Sequence, residues 1–256
     1  MIMQRNEDIL LKDITFNGLD IFTKDELLNI SSLDKKSTED ALRSLIKRDI
    51  IYNIERGKYC KFDFRDELVI GYILSRDGGI GYWTAMNYHG LTEQIPNTVF
   101  VQTSFKKESK QIFGVNYVFV QIKKEKLTGY SNVGHGNHQF NITDIEKTVV
   151  DCFDLPQHGG GYAEIIKAFS HANLNARKMV KYCKAIDNIA VTKRLAYLSE
   201  LLDKPQMDNF ILYAQSIKNK KYNLFETGGE SNGKSNSRWN LILNMNESEI
   251  LEIANS

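Results

Sequence analysis

The first regular pattern of apolar and polar residues in the chain begins at Thr23. Thr23 and Glu26 have the spacing of a capping box, in which each side chain accepts a hydrogen bond from the backbone amide of the other residue. Phe22 and Leu27 flank this box and are positioned to pack on each other as a hydrophobic staple. The pattern therefore predicts a short helix from Thr23 to about Ile30.

A second helix is predicted over residues 38–48, with Ser37 as its N-cap. Apolar residues recur on one face of this helix with a period of 3.6, and polar residues occupy the opposite face. The apolar positions are Leu42, Leu45 and Ile46, and the polar positions are Lys36, Asp40, Arg43, Ser44 and Lys47.

Two short apolar runs follow, over residues 50–54 and 59–62, on either side of a glycine-containing turn. Such runs predict two strands of a hairpin, with Arg56 and Lys58 at its basic tip. Two helices followed by a basic hairpin are typical of a winged helix-turn-helix. We therefore expect residues 1–65 to form a winged helix-turn-helix domain that binds double-stranded DNA.

The rest of the chain, residues 66–256, mixes strands and helices and becomes helical from about residue 160. Strands are predicted over residues 98–103, 117–122 and 138–142. A second capping box, Thr143 with Glu146, predicts a helix that continues through Phe153. The expected fold class is α+β, with an N-terminal winged helix-turn-helix domain and a larger mixed α/β C-terminal domain.

Charge is distributed unevenly along a chain whose formal net charge is only +1. Residues 35–61 contain eight basic and four acidic residues, a net charge of +4, whereas residues 1–34 have a net charge of −4. Opposite charge on adjacent segments indicates that one face is turned toward phosphate and the other away from it.

Residue chemistry suggests how DNA would be contacted. Arg43 is suited to a bidentate contact with guanine, and Asp40 could accept from a cytosine amino group. The predicted DNA-binding residues are Lys35, Lys36, Ser37, Asp40, Arg43, Ser44, Lys47, Arg56 and Lys58. A possible second basic patch consists of Lys106, Lys107, Lys110, Lys123 and Lys124, although a solvated loop and strand end would explain these lysines equally well.

Enzymatic sites are less well supported by the sequence. His135 and His138 offer two metal ligands where zinc needs three or four. Asp144, Glu146 and Asp151 form an acidic cluster of the kind found in two-metal nucleases, but Asp144 and Glu146 are also explained by helix capping. We expect no catalytic residue, no metal and no cofactor.

Localisation follows from composition. Three cysteines lie far apart, no apolar run reaches the length of a membrane span, and the N-terminus lacks the apolar stretch of a signal peptide. These features predict a cytoplasmic protein that has no membrane partner.

Four short motifs resemble the AbiEi-type antitoxins of type IV toxin–antitoxin systems. In chain order they are Tyr88-His89-Gly90-Leu91-Thr92, Pro96-Asn97-Thr98-Val99-Phe100-Val101, Thr143-Asp144-Ile145-Glu146-Lys147-Thr148-Val149-Val150-Asp151 and Ser237-Arg238-Trp239-Asn240-Leu241. The resemblance covers essentially the whole chain. It implies a transcriptional regulator of an abortive-infection system for phage defence, with an N-terminal winged helix and a C-terminal antitoxin domain.

The same resemblance implies two partners: promoter DNA with inverted repeats, which the protein would bind to repress its own operon, and a nucleotidyltransferase-like toxin, which it would neutralise with or without a stable complex. Two other functions remain open at this point. The chain could be an interaction protein that binds its toxin directly, or a metal-dependent enzyme of nucleic-acid metabolism.

Overall fold

The computed structural model describes residues 5–256, which form an α+β fold with three sheets. We refer to residues 5–65 as the N-terminal unit and to residues 66–256 as the C-terminal unit. The elements of the N-terminal unit are α1 (Asn6–Phe16), β1 (Ile21–Thr23), α2 (Lys24–Ile30), α3 (Lys35–Lys47), β2 (Ile51–Glu55) and β3 (Lys58–Lys61). Strands β2 and β3 form a hairpin, and β1 adds antiparallel to β3, giving the order β1-β3-β2.

The predicted start of α2 is confirmed. Thr23 Oγ1 accepts from the Glu26 amide at 3.2 Å, and the Thr23 amide donates to Glu26 Oε2 at 2.7 Å. Phe22 and Leu27 are both buried in the core of the N-terminal unit. The capping box therefore forms as the sequence predicts.

Helix α3 begins three residues earlier than predicted, because its N-cap is Asp34 and not Ser37. The Asp34 carboxylate accepts from the Ser37 amide at 3.1 Å and from the Ser37 hydroxyl at 2.6 Å. Aspartate is as good an N-cap as serine, and the Asp34 backbone is extended, as a cap requires. Ser37 therefore lies inside the first turn.

Helix α1 is absent from the sequence prediction. Within it only Leu10 and Ile14 are buried, and its N-cap residue, Arg5, makes no side-chain capping bond. A pattern with so few buried positions and no cap is weak, and packing against α3 is what stabilises the helix.

The C-terminal unit begins with a six-stranded sheet of order β6-β7-β5-β4-β9-β8. Its elements are α4 (Glu67–Ser75), β4 (Gly79–Ile80), α5 (Tyr82–Tyr88), β5 (Thr98–Thr103), β6 (Lys110–Ile112), β7 (Val115–Gln121), β8 (Tyr130–Val133), β9 (Phe140–Thr143) and α6 (Ile145–Asp154). Strands β5 and β7 are parallel over six residue pairs, whereas β6 pairs antiparallel with β7 as a hairpin.

The second predicted capping box is wrong. Thr143 is the last residue of β9, and Asp144 caps α6 by accepting from the Lys147 amide at 2.9 Å. Glu146 turns away from the helix start and accepts from the Asn175 amide at 3.0 Å. A tertiary contact has therefore taken the carboxylate that a capping box would have used.

The remaining elements form a helical layer with a small sheet of order β10-β12-β11. They are α7 (Tyr162–His171), α8 (Ala176–Ile186), α9 (Ile189–Leu201), α10 (Asp208–Ile217), β10 (Asn223–Leu224), β11 (Lys234–Asn236), β12 (Leu241–Leu243) and α11 (Glu247–Ala254). A large hydrophobic core joins this layer to α5 and α6. The predicted helical character beyond residue 160 is confirmed.

The sheet β1-β3-β2 is covered on both of its faces. On one face, Ile51 and Tyr59 pack against the helices of the N-terminal unit. On the other face, Ile21, Ile54 and Cys60 belong to a buried cluster that continues into the six-stranded sheet. A continuous hydrophobic cluster therefore crosses the domain boundary predicted at residues 65 and 66.

None of the helices within residues 5–256 has both the length and the apolar character needed to span a membrane.

Candidate nucleic-acid interface

Helix α3 presents a polar face to solvent. Leu42 and Leu45 are buried, whereas Lys36, Arg43 and Lys47 are exposed on the opposite side. This arrangement follows from the 3.6-residue period of the sequence, which places these basic residues within an arc of about 40° around the helix axis. The predicted polar face is therefore formed, with Asp40 and Lys35 exposed beside it.

Two ion pairs lie on or beside this face. Arg43 pairs with Asp40 one turn away, and Lys24 of α2 pairs with Glu39 at 2.8 Å. The hydrogen bond from Lys24 lowers the pKa of Glu39. Solvent screens such exposed pairs, so a competing charge can replace either partner. Within residues 5–256, Lys35, Lys36 and Lys47 form no salt bridge.

Ser37 and Ser44 do not contribute to the free surface in the predicted way. The Ser44 hydroxyl donates to Glu7 Oε1 on α1 at 2.7 Å, and this hydrogen bond is the main cause that lowers the pKa of Glu7. The Ser37 hydroxyl donates to Asp34. Helix periodicity places Ser44 on the polar face but carries no information about α1, which supplies its partner Glu7. Ser37 is the expected N-cap, and Asp34 takes that role.

The two basic residues of the hairpin tip, residues 55–58, lie in different environments. Arg56 is exposed, and Gly57 adopts a φ of 76°, which lets the chain reverse without strain. Lys58 bends back toward Glu55, with 3.1 Å between its Nζ and Glu55 Oε2 and only 16% of its side chain exposed. Lys58 lies at the tip as predicted, but its ammonium group is paired with Glu55, and its contact with DNA stays a prediction.

Glu55 also forms ion pairs with two lysines of the C-terminal unit. Its Oε1 atom lies 2.6 Å from Lys107 Nζ and 3.8 Å from Lys110 Nζ. Lys110 donates to the Ile54 carbonyl at 2.8 Å. Burial alone would raise the pKa of Glu55, but the charged contacts with Lys107 and Lys58 outweigh it and lower the pKa. Glu55 is the shared anion of a junction between the two units.

The predicted second basic patch is therefore divided. Lys107 and Lys110 are partly buried, and Lys107 also donates to the Leu74 carbonyl at 2.7 Å. Lys106, Lys123 and Lys124 are exposed as predicted. No local pattern indicates this division, because the acid that holds Lys107 lies 52 positions earlier in the chain.

A second junction lies at the start of β1. Asn137 Oδ1 accepts from the amides of Asp20 and Ile21 at 2.8 and 2.9 Å. Asp20 also pairs with His138 at 2.7 Å and with Lys61 at 2.8 Å. His138 Nε2 is thus engaged in an interaction between the two units.

At the start of α6, Asp144 and Glu146 share one cation, since Lys178 Nζ lies 3.1 and 3.2 Å from their carboxylates, whereas Asp151 lies apart from them. Asp144 also accepts from the Tyr182 hydroxyl at 2.7 Å. Asp151 is buried against Lys147 inside the fold. Within the described residues, no group of three or more His, Cys, Asp or Glu side chains is arranged to hold a metal ion.

Asp151 belongs to a buried polar network. It pairs with Lys147 and accepts from Gln102 Nε2 at 2.7 Å, while Gln102 Oε1 accepts from the Tyr130 hydroxyl at 2.7 Å. Burial raises the pKa of Asp151, against the opposing effect of Lys147. Because these side chains satisfy one another, the network is explained as a structural element of the sheet–helix interface.

Comparison with known proteins provides a likeness of fold. No family model and no curated protein matches the chain. Among solved structures, the RV2827C protein from Mycobacterium tuberculosis superimposes with a TM-score of 0.64 at 12% sequence identity. The match covers 99% of this chain and 96% of that one. The two proteins therefore share an overall fold along their whole lengths.

Proposed function

We propose that this chain is a DNA-binding autorepressor whose N-terminal unit is a winged helix-turn-helix. The observation that carries the proposal is the exposed basic face of α3, where Lys36, Arg43 and Lys47 are accessible. The order of α2, α3 and the β2–β3 hairpin supports the same interpretation. The major groove of duplex DNA accommodates a helix of this kind.

In the proposed complex, α3 lies in the major groove. Arg43 exchanges its solvent-screened partner Asp40 for the O6 and N7 atoms of guanine, and Asp40 then becomes free to accept from a cytosine amino group. Lys36 and Lys47 contact phosphates on either side of the groove, and Arg56 does so from the hairpin tip.

The proposal is tested by titrating labelled duplex from upstream of the gene with the full-length protein and with its Arg43→Ala variant. We expect the variant to lose about 1–3 kcal/mol of binding free energy and to relax sequence preference at one base pair. Lys220→Gln is the matched control, since Lys220 is an exposed cation remote in sequence from α3. Equal binding by wild type and Arg43→Ala would contradict the placement of α3, and no binding by wild type would contradict the function.

We further propose that the chain acts as an antitoxin against a nucleotidyltransferase-like toxin in a type IV, phage-defence system. This part rests on the four AbiEi-like motifs. Growth rescue on co-expression with the product of the neighbouring gene tests it. Failure to rescue with a verified toxin would contradict it.

Direct contact with the toxin is the second candidate, and an exposed aromatic group favours it. The Arg65 guanidinium lies 3.9 Å from the centroid of the Phe113 ring, Tyr52 packs between Phe62 and Phe113, and Phe62 is 55% exposed. Arginine and aromatic side chains are enriched at protein interfaces. Loss of toxin co-purification on Phe62→Ser substitution, with DNA binding retained, would support this mode.

A further inference from the structure

The hairpin tip and residues 104–110 of the C-terminal unit lie side by side. Lys107 Nζ is 2.6 Å from Glu55 Oε1, and Lys110 Nζ is 2.8 Å from the Ile54 carbonyl oxygen. Arg56 directly follows Glu55, and Lys106 directly precedes Lys107. The two junction lysines therefore hold the backbone next to Arg56 close to the backbone next to Lys106, and both of these side chains are exposed.

Positive charge is in excess at this junction. Three ammonium groups, those of Lys58, Lys107 and Lys110, lie within 3.8 Å of the single carboxylate of Glu55. Burial, together with the charges of Lys58 and Lys110, lowers the pKa of Lys107 in spite of Glu55. An additional anion nearby would relieve this repulsion.

The exposed charged residues of segments 55–58 and 104–110 are Arg56, Lys106 and Glu108. Residues 104–110 contain three lysines and one acid, Glu108. Within residues 5–256, neither Lys106 nor Arg56 takes part in a salt bridge. These two cations are available to a ligand, whereas Lys107 and Lys110 serve to hold the surface together.

We propose that residues 104–110 extend the DNA-contacting surface beyond the hairpin tip, with Lys106 and Arg56 binding phosphates of the duplex that flanks the site read by α3. The inference rests on the proposed function and assigns a DNA-contacting role to the C-terminal unit. The occupant is duplex phosphate because residues 55–58 and 104–110 together carry five cations against two carboxylates and are continuous with the proposed interface. Glu55 is a positioning residue, since it joins the two segments without touching DNA.

The test is the salt dependence of operator binding by the full-length protein. Each lost phosphate contact lowers the magnitude of the slope of log K against log salt by about 0.9. We expect this decrease for Lys106→Gln and about twice this decrease for the Arg56→Gln/Lys106→Gln pair. Lys220→Gln is the control and should leave the slope unchanged.

A second measurement locates the contact. Hydroxyl-radical footprinting should show protection flanking the central site with wild type and its loss with Lys106→Gln. Trimming the duplex by about one helical turn, ~10 base pairs, on both sides should abolish the difference between wild type and this variant.

The outcomes separate the two proposals. If wild type binds its operator and Lys106→Gln keeps the wild-type slope and footprint, the extended surface is refuted while the proposed function stands. If wild type binds no DNA, both are refuted. A lowered slope with loss of flanking protection supports both.

Discussion

The exposed face of α3 and the hairpin tip are both rich in basic residues, yet the structure uses their charges differently. On α3, Lys36 and Lys47 extend into solvent, and Arg43 is held only by its exposed neighbour Asp40. At the tip, Lys58 is largely buried beside Glu55, together with lysines of the C-terminal unit. Basic residues in sequence therefore divide into charges available to a ligand and charges committed to the fold.

The cause of the difference is tertiary packing. Helix α3 buries one face, and within residues 5–256 its opposite face stays exposed at Lys36, Arg43 and Lys47, so the polar period of its sequence is retained. The hairpin is sandwiched between the helices of the N-terminal unit and the six-stranded sheet. Charges on such a sandwiched element must find partners, because an isolated buried charge is costly.

The largest loss of stability is expected where a charged side chain is fully buried with its partner. Lys147 and Asp151 form a buried ion pair, and Lys147→Met leaves the carboxylate without its partner. We expect a loss of about 3–5 kcal/mol of unfolding free energy, measured by chemical denaturation. Asp40→Asn on α3 is the control and should change stability by no more than about 0.5 kcal/mol. Equal stabilities of the two variants would erase the distinction between committed and available charges.

A smaller effect is expected at the partly buried junction. Glu55→Gln keeps the shape of the side chain but removes the anion shared by Lys58, Lys107 and Lys110. We expect stability to fall by about 1–2 kcal/mol, since charged hydrogen bonds are lost in a site that solvent partly screens. Hydrogen exchange should quicken in residues 51–61. Unchanged exchange would indicate that Glu55 does not hold the hairpin.

The contribution of Glu55 should depend on pH. The pKa of Glu55 is lowered in the folded protein, so its stabilising effect is complete at neutral pH and is lost as the pH falls below about 5 and through the folded pKa. The stability difference between wild type and Glu55→Gln should therefore shrink in acid. A difference that grew on acidification would contradict the ion-pair assignment.

The smallest expected effect is a difference in the salt dependence of DNA binding between variants of the two basic residues at the tip. Arg56→Gln should lower the magnitude of the salt slope of operator binding by about 0.9, whereas Lys58→Gln should lower it by less because its ammonium group already pairs with Glu55. Parallel titrations at several salt concentrations measure both slopes. A full decrease for Lys58→Gln would show that DNA displaces Glu55, which would remove the contrast with α3.

Much of the fold follows from local pattern. Strand β5 forms over the residues predicted from its β-branched and aromatic composition, and α2 begins at the predicted capping box. Strands β1 and β4 escaped prediction because they have three and two residues. Segments this short have no period of their own and exist through pairing with partners distant in sequence.

The candidate site divides in the same way. The polar face of α3 was predictable, because an isolated helix with one apolar stripe has only one way to present its remaining residues. The hydrogen bond from Ser44 to Glu7 was not predictable, because Glu7 lies on a helix that the sequence pattern did not indicate. The ion pair between Lys107 and Glu55 was not predictable from the sequence either.

The sequence by itself determined the α+β composition, the helices α2, α3 and α6, strand β5, and which residues of α3 face outward, since these depend on neighbours within a few positions. Only the tertiary structure decided that both faces of the sheet β1-β3-β2 are covered and that Glu55 pairs with lysines from both units. The physical reason is that the partner of a buried charge is set by proximity in space. Lys107 and Glu55 meet because the hydrophobic cluster that includes Ile54 brings their segments together.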